Sequence, residues 1–87
     1  MSLNITPICK RFGKLAGHFK DNYADKTLFG YEMYGRIKHT TIDSSLTYEF
    51  LLWLSRGHGD RAFPELRTML ATKGIEETLK FAKEYKK

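Results

Sequence analysis

Ile5, Ile8, Cys9 and Phe12 recur three and four residues apart, the spacing of one helical face. Thr6-Pro7 opens this run as N-cap and first helical residue, because proline has its φ preset there and its missing N–H costs nothing. Gly13 follows as the residue that ends a helix in the left-handed conformation. A second helix is predicted to begin near Lys14 or Leu15, with Leu15, Phe19 and Tyr23 at i, i+4, i+8.

The pattern then becomes ambiguous over "DKTLFGYEMYGRIKHTTI", residues 25–42. Read with a period near 3.6, Asp25 caps a helix that carries Leu28, Phe29, Met33 and Ile37 on one side. Gly30 and Gly35 oppose this reading, at roughly 1 kcal/mol each in a helix interior. The aromatic and β-branched content permits a short β-hairpin instead, with Gly35-Arg36 near its bend. Farther on, Asp43 or Ser44 caps "SLTYEFLLWLSR". Leu46, Phe50, Trp53 and Leu54 share one face there, and Leu51 and Leu52 make the helix apolar nearly all round, as befits a central position. Gly57 ends it and "GHGD" forms a loop. Pro64 opens a short amphipathic helix with Leu66, Met69 and Leu70, ending near Lys73-Gly74. In the last helix Ile75, Leu79, Ala82 and Tyr85 are expected to face inward.

These elements predict a mainly α fold. It is a bundle of about five short helices containing a helix-turn-helix-like N-terminal hairpin, with room for one small β-hairpin over residues 28–42. Eighty-seven residues make one domain.

Charge changes the picture. Residues 1–20 hold Lys10, Arg11, Lys14 and Lys20 and no acidic side chain, whereas the other 67 residues hold eleven basic and all ten acidic ones. Most of the net charge of +5 therefore lies in the first quarter, which suggests an anionic partner such as DNA or another polyanion, or an acidic protein surface. A solvated face is the plainer alternative. One cysteine excludes an internal disulfide framework and a zinc knuckle, and a reducing compartment follows. No apolar run spans a membrane and the N-terminus lacks a signal-peptide h-region, so a cytoplasmic or nuclear protein is expected.

"ICKRFGKLAGHF" supplies the apolar pair, the turn glycine and the second-helix anchor Phe19 of a helix-turn-helix. Lys14 stands where that pattern is usually apolar. The candidate nucleic-acid contacts are Lys10, Arg11, Lys14, His18 and Lys20, extended by Arg36 and Lys38. A module this small binds weakly alone, so a homodimer or larger complex is expected.

"LNITPICKRFGKLAGHFKDN" resembles the entry of the KilA-N domain, a DNA-binding module of phages and large DNA viruses; Asn4, Thr6, Cys9, Lys10, Phe12, Gly13 and Lys14 fall on its pattern. The "WLS" of Trp53, Leu54 and Ser55 resembles the family's late helix. The resemblance implies DNA binding, with the basic residues near the first turn as contacts. It departs at His18-Phe19, where the family has tryptophan, and in lacking the family's glycine-rich strand and "HP" before the late helix.

A second reading makes the chain a small phage-type interaction module or inhibitor, docking on an acidic surface of a host protein through Phe29, Tyr31 and Tyr34. Catalysis has little support. Cys9 lies on an apolar stripe and reads as core, "HGD" at 58–60 matches no established site, and no phosphate loop is present, so neither an enzyme nor a cofactor or metal is expected.

Overall fold

The computed structural model describes residues 2–23, 26–56 and 63–85. The chain runs β1 (Ser2–Asn4), α1 (Thr6–Arg11), α2 (Ala16–Lys20), β2 (Phe29–Tyr34), β3 (Ile37–Asp43), α3 (Thr47–Ser55), α4 (Pro64–Thr72) and α5 (Gly74–Glu84). Short 3-10 turns at Lys26–Leu28 and Ser44–Leu46 lead into β2 and α3.

The three strands form one antiparallel sheet in the order β1-β3-β2. A mainly α bundle is thereby overturned: among the described residues five helices pack with a three-stranded sheet in an α/β fold. Two local facts produce this outcome. Of the two readings of residues 25–42, the hairpin is the one realised, since two glycines weaken a helix there and Thr40, Thr41 and Ile42 suit a pleated strand. The third strand, β1, is only three residues long, too short to show an alternation; it forms because β3 offers it a partner edge, pairing Ser2 with Asp43, Leu3 with Ile42 and Asn4 with Thr41. Asp25, and the Gly57 and "GHGD" readings, lie outside the described residues.

The helix punctuation has direct physical counterparts. Gly13 adopts φ +68°, and the Lys14 N–H donates to Cys9 O at 2.9 Å while the Gly13 N–H donates to Lys10 O at 3.2 Å. This is a Schellman closure, which satisfies carbonyls that α1 leaves open. At the other end of α1, the Thr6 hydroxyl does not cap its own helix. It accepts the Thr40 N–H at 2.7 Å, while Asn4 Oδ1 accepts the Thr6 N–H at 3.2 Å. Asp43 does supply a cap ahead of α3, accepting the Ser45 N–H at 3.0 Å; hydrogen bonding from the Ser45 side chain, and then from its N–H, holds the carboxyl below the usual range.

The core collects Ile5, Ile8, Cys9 and Phe12 around α1, Phe19 from α2, Ile42 from β3, Phe50, Leu51 and Leu54 from α3, and Leu66, Leu70 and Ala82 from α4 and α5. Leu3 and Phe29 flank Ile42 on the sheet's inner face. Phe12, Phe63 and Tyr85 form a second aromatic knot; Phe12 stacks on Tyr85 at 4.5 Å and meets Phe63 edge-on at 5.1 Å, tying the end of α1 to the end of α5. Two apolar residues read as inward are on the surface: Leu15 is 64 % exposed and Ile75 is 42 % exposed. On α5 the inward position goes to Thr78, whose hydroxyl is satisfied by Gly74 O at 2.8 Å.

Candidate functional site

The β2–β3 hairpin projects beyond the body that anchors it. Its bend is Gly35-Arg36, with Gly35 at φ +64° and no non-glycine residue at positive φ among those described. A positive φ at the first central position alone is the requirement of a II′ turn, whose twist matches the flanking strands. Pairing then fixes which side chains share a face. Phe29 opposite Ile42, Tyr31 opposite Thr40 and Met33 opposite Lys38 form one face; Glu32 opposite His39 and Tyr34 opposite Ile37 form the other. Only the Phe29–Ile42 end of the first face reaches the core. Toward the bend both faces open to solvent, leaving Tyr31, Met33, Tyr34 and Ile37 between 52 % and 63 % exposed. A single isolated apolar side chain on a surface is ordinary, but four clustered on one projecting ribbon mark a contact surface.

Cations and polar groups are interleaved with this apolar tip. Arg36 occupies the bend, exposed, and the Lys38 ammonium lies 4.6 Å above the Tyr31 ring. On the opposite face a polar chain runs back to the body. The Tyr34 hydroxyl donates to Glu32 Oε2 at 2.7 Å, and that bond raises the Tyr34 pKa. The Tyr34 ring packs on His39 at 4.4 Å. Asn4 Nδ2 donates to His39 Nδ1 at 2.9 Å. Because Asn4 Oδ1 is held by the Thr6 N–H, its amide orientation is fixed, so His39 Nδ1 accepts and the ring proton belongs on Nε2.

The structure separates the candidate cations into groups with different duties. Lys10 and His18 are exposed on α1 and α2, and Lys20 is half-buried. Arg11 is exposed, but its guanidinium donates to Tyr85 O at 3.1 Å. Lys14 turns inward. Its ammonium donates to Trp53 O and Leu54 O at 3.0 Å each and also to Arg56 O, and it lies 5.0 Å from the Trp53 ring. A cation at a helix C-terminus meets the open carbonyls and the negative end of the dipole. This explains a lysine where a helix-turn-helix usually has an apolar residue: it closes α3. Burial lowers the Lys14 pKa and pushes the neighbouring Cys9 thiol up to about 12, with Lys14 partly opposing the latter.

The segment that carries His18 and Lys20 packs at the root of the ribbon whose far end carries the tip cations. Phe19 of α2 packs against Phe29, at the root of β2, at 5.9 Å, and Tyr23 does so at 5.6 Å. From that root to Tyr34 the strand rises about 17 Å. Of the three aromatic interface candidates, Tyr31 and Tyr34 are exposed, whereas Phe29 faces the core. Ile37 at the tip escaped the sequence reading of an interface, which grouped Met33 with Tyr31 and Tyr34 and left Ile37 only on the stripe of the helical alternative. Once the bend is fixed at Gly35-Arg36, simple alternation places it there.

A cleft of about 230 Å³ opens between α2 and α3, lined in part by Tyr23, Trp53, Glu49 and Arg56. Burial and Glu49 raise the Tyr23 pKa there, with Arg56 opposing. Among the described residues no group of three or more His, Cys, Asp and Glu is placed to hold a metal ion, and no helix is long and apolar enough to cross a membrane. Comparison with protein-family models, with curated proteins and with solved structures gives no match for the chain.

Proposed function

We propose that the protein binds nucleic acid, duplex DNA in the first place, with the β2–β3 hairpin as its principal contact element. The observation that carries this reading is the projecting tip, where Arg36 and Lys38 stand among exposed Tyr31, Met33, Tyr34 and Ile37. Cations supply phosphate contacts and counterion release, and aromatic or apolar side chains supply contacts to bases. Lys10, His18 and Lys20 on α1 and α2 add long-range attraction.

This reading moves the main contact away from α2. A helix of five residues is only about 7.5 Å long and presents few side chains to a groove. It also removes Lys14 from the contact set, since that ammonium closes α3. The KilA-N resemblance of the entry motif points toward DNA as well.

Amide chemical-shift mapping with a short duplex at low salt tests the proposal. The largest shifts are expected over residues 31–39, with smaller ones on α1 and α2. Shifts confined to α4 and α5 would contradict it.

The same tip favours a second reading, a protein-protein contact, since Tyr, Met and Arg are enriched at interface cores. Under that reading a captured partner survives nuclease treatment and is lost on Tyr31→Ala.

A further inference from the structure

We propose that the hairpin tip is a bending wedge: Ile37, backed by Tyr34, enters between adjacent base pairs of a duplex from the minor groove and kinks it. This rests on the nucleic-acid reading above and adds a mode of action to it.

Three observations carry the inference. First, the tip lacks the groups that read adenine edges, and its cations Arg36 and Lys38 accompany an apolar lead. Bidentate readout of adenine uses Asn or Gln, and residues 29–43 contain neither. The leading side chains are apolar instead, and apolar wedges, isoleucine and methionine among them, are what proteins insert between base steps from the minor groove. Second, the wedge is correctly placed. Tyr34 and Ile37 form the last cross-strand pair, on one face and directly behind the bend, and Ile37 is 63 % exposed. Arg36 at the bend and Lys38, on the opposite face above the Tyr31 ring, supply cations next to Ile37 in sequence.

Third, the wedge is braced. Prising base pairs apart requires a support that does not yield. On the face that carries Ile37, the Tyr34 ring packs on His39, His39 accepts from Asn4, and Asn4 Oδ1 accepts the first N–H of α1. The Tyr34 hydroxyl is fixed on Glu32, which lies two residues farther from the bend and keeps its carboxylate behind the advancing edge. The contacts form a continuous path from tip to body. An interface that only docked on a flat surface has no need of such a path.

The test uses the full chain and a duplex of about 30 base pairs, long enough for a kink to show in its end-to-end distance, with donor and acceptor dyes at its ends; anisotropy of the same duplex reports binding. Wild-type protein is expected to raise energy transfer on binding. Ile37→Ala, whose fold is checked by circular dichroism, is expected to bind at low salt and to lose most of that rise, because phosphate contacts persist without the wedge. A duplex with a central mismatch, already cheaper to unstack, is expected to bind wild type more tightly and to lose this advantage with Ile37→Ala. Binding without a rise in transfer, or an unchanged rise with Ile37→Ala, overturns the wedge and leaves the nucleic-acid reading standing. Absence of binding to any duplex overturns both.

Discussion

At the scale of single residues, Lys14 and Cys9 show how a position can mislead until its neighbours are known. Lys14 belongs by sequence to a basic surface run, yet its ammonium serves two α3 carbonyls, the Arg56 carbonyl just beyond them and the Trp53 ring. Lys14→Met removes those bonds and is expected to lower stability by about 1–3 kcal/mol in denaturant unfolding, while the folded fraction keeps its DNA affinity. A large affinity loss with unchanged stability would return Lys14 to the contact surface. Cys9 is 1 % exposed, its thiol raised to about 12 by burial. It is expected to ignore thiol reagents in the native state at neutral pH and to react on unfolding. Its linkage has a definite sign. Below pH 9.0 the thiol is neutral in both states; between 9.0 and about 12 the unfolded chain gives up the proton first, so stability falls as pH rises. The raised Tyr23 and Tyr34 act in the same direction, and the lowered Lys14 acts in the opposite one. Comparison with Cys9→Ala isolates the thiol: wild type is expected to lose stability more steeply than the variant above about pH 9, and equal slopes would contradict the assignment.

At the scale of elements, the α1 turn rests on Gly13. At φ +68° nothing lies within 4 Å of an added Cβ, so the cost of Gly13→Ala is conformational, about 1–2 kcal/mol by thermal or chemical unfolding. A neutral substitution would mean that the turn is not left-handed. This turn, the proline starts of α1 and α4, and the core stripes of α1 and α3 were legible because proline, glycine and 3.6-residue spacing are local signals. What was not legible depended on partners distant in sequence. β1 exists through β3, some 40 residues away. Lys14 acts through a helix end 39 to 42 residues on. Leu15 and Ile75 continue apolar patterns but fall beyond the reach of the core, and Thr78 enters it because its hydroxyl bonds back to its own helix. The hairpin was visible only as an alternative, since Met33 and Ile37 fit either period; the two glycines decided it. Asn4 links these levels. Asn4→Ala removes the acceptor of the Thr6 N–H and the brace on His39, and is expected to cost about 1 kcal/mol and to broaden the resonances of the tip in NMR spectra. An unperturbed tip would show that the brace is not needed.

At the scale of the whole molecule, a layer of helices closes one end of a small sheet, and the other end of that sheet extends into solvent. The charge asymmetry of the chain then has a geometric meaning. The acid-free first 20 residues form α1 and α2 beside the root of the hairpin, and Arg36 and Lys38 mark its far end. A ribbon with cations and an apolar, aromatic tip groups the exposed Tyr31, Met33, Tyr34 and Ile37 into one surface. The central claim is that this ribbon holds nucleic acid. The most direct test is a salt titration of duplex binding by fluorescence anisotropy, comparing wild type with Arg36→Glu/Lys38→Glu. Wild type is expected to bind at low salt, with log K falling linearly against log salt at about −0.9 per phosphate contact, and the double variant to show a much weaker and shallower response. No binding by wild type at low salt, or an identical titration for the double variant, would contradict the claim.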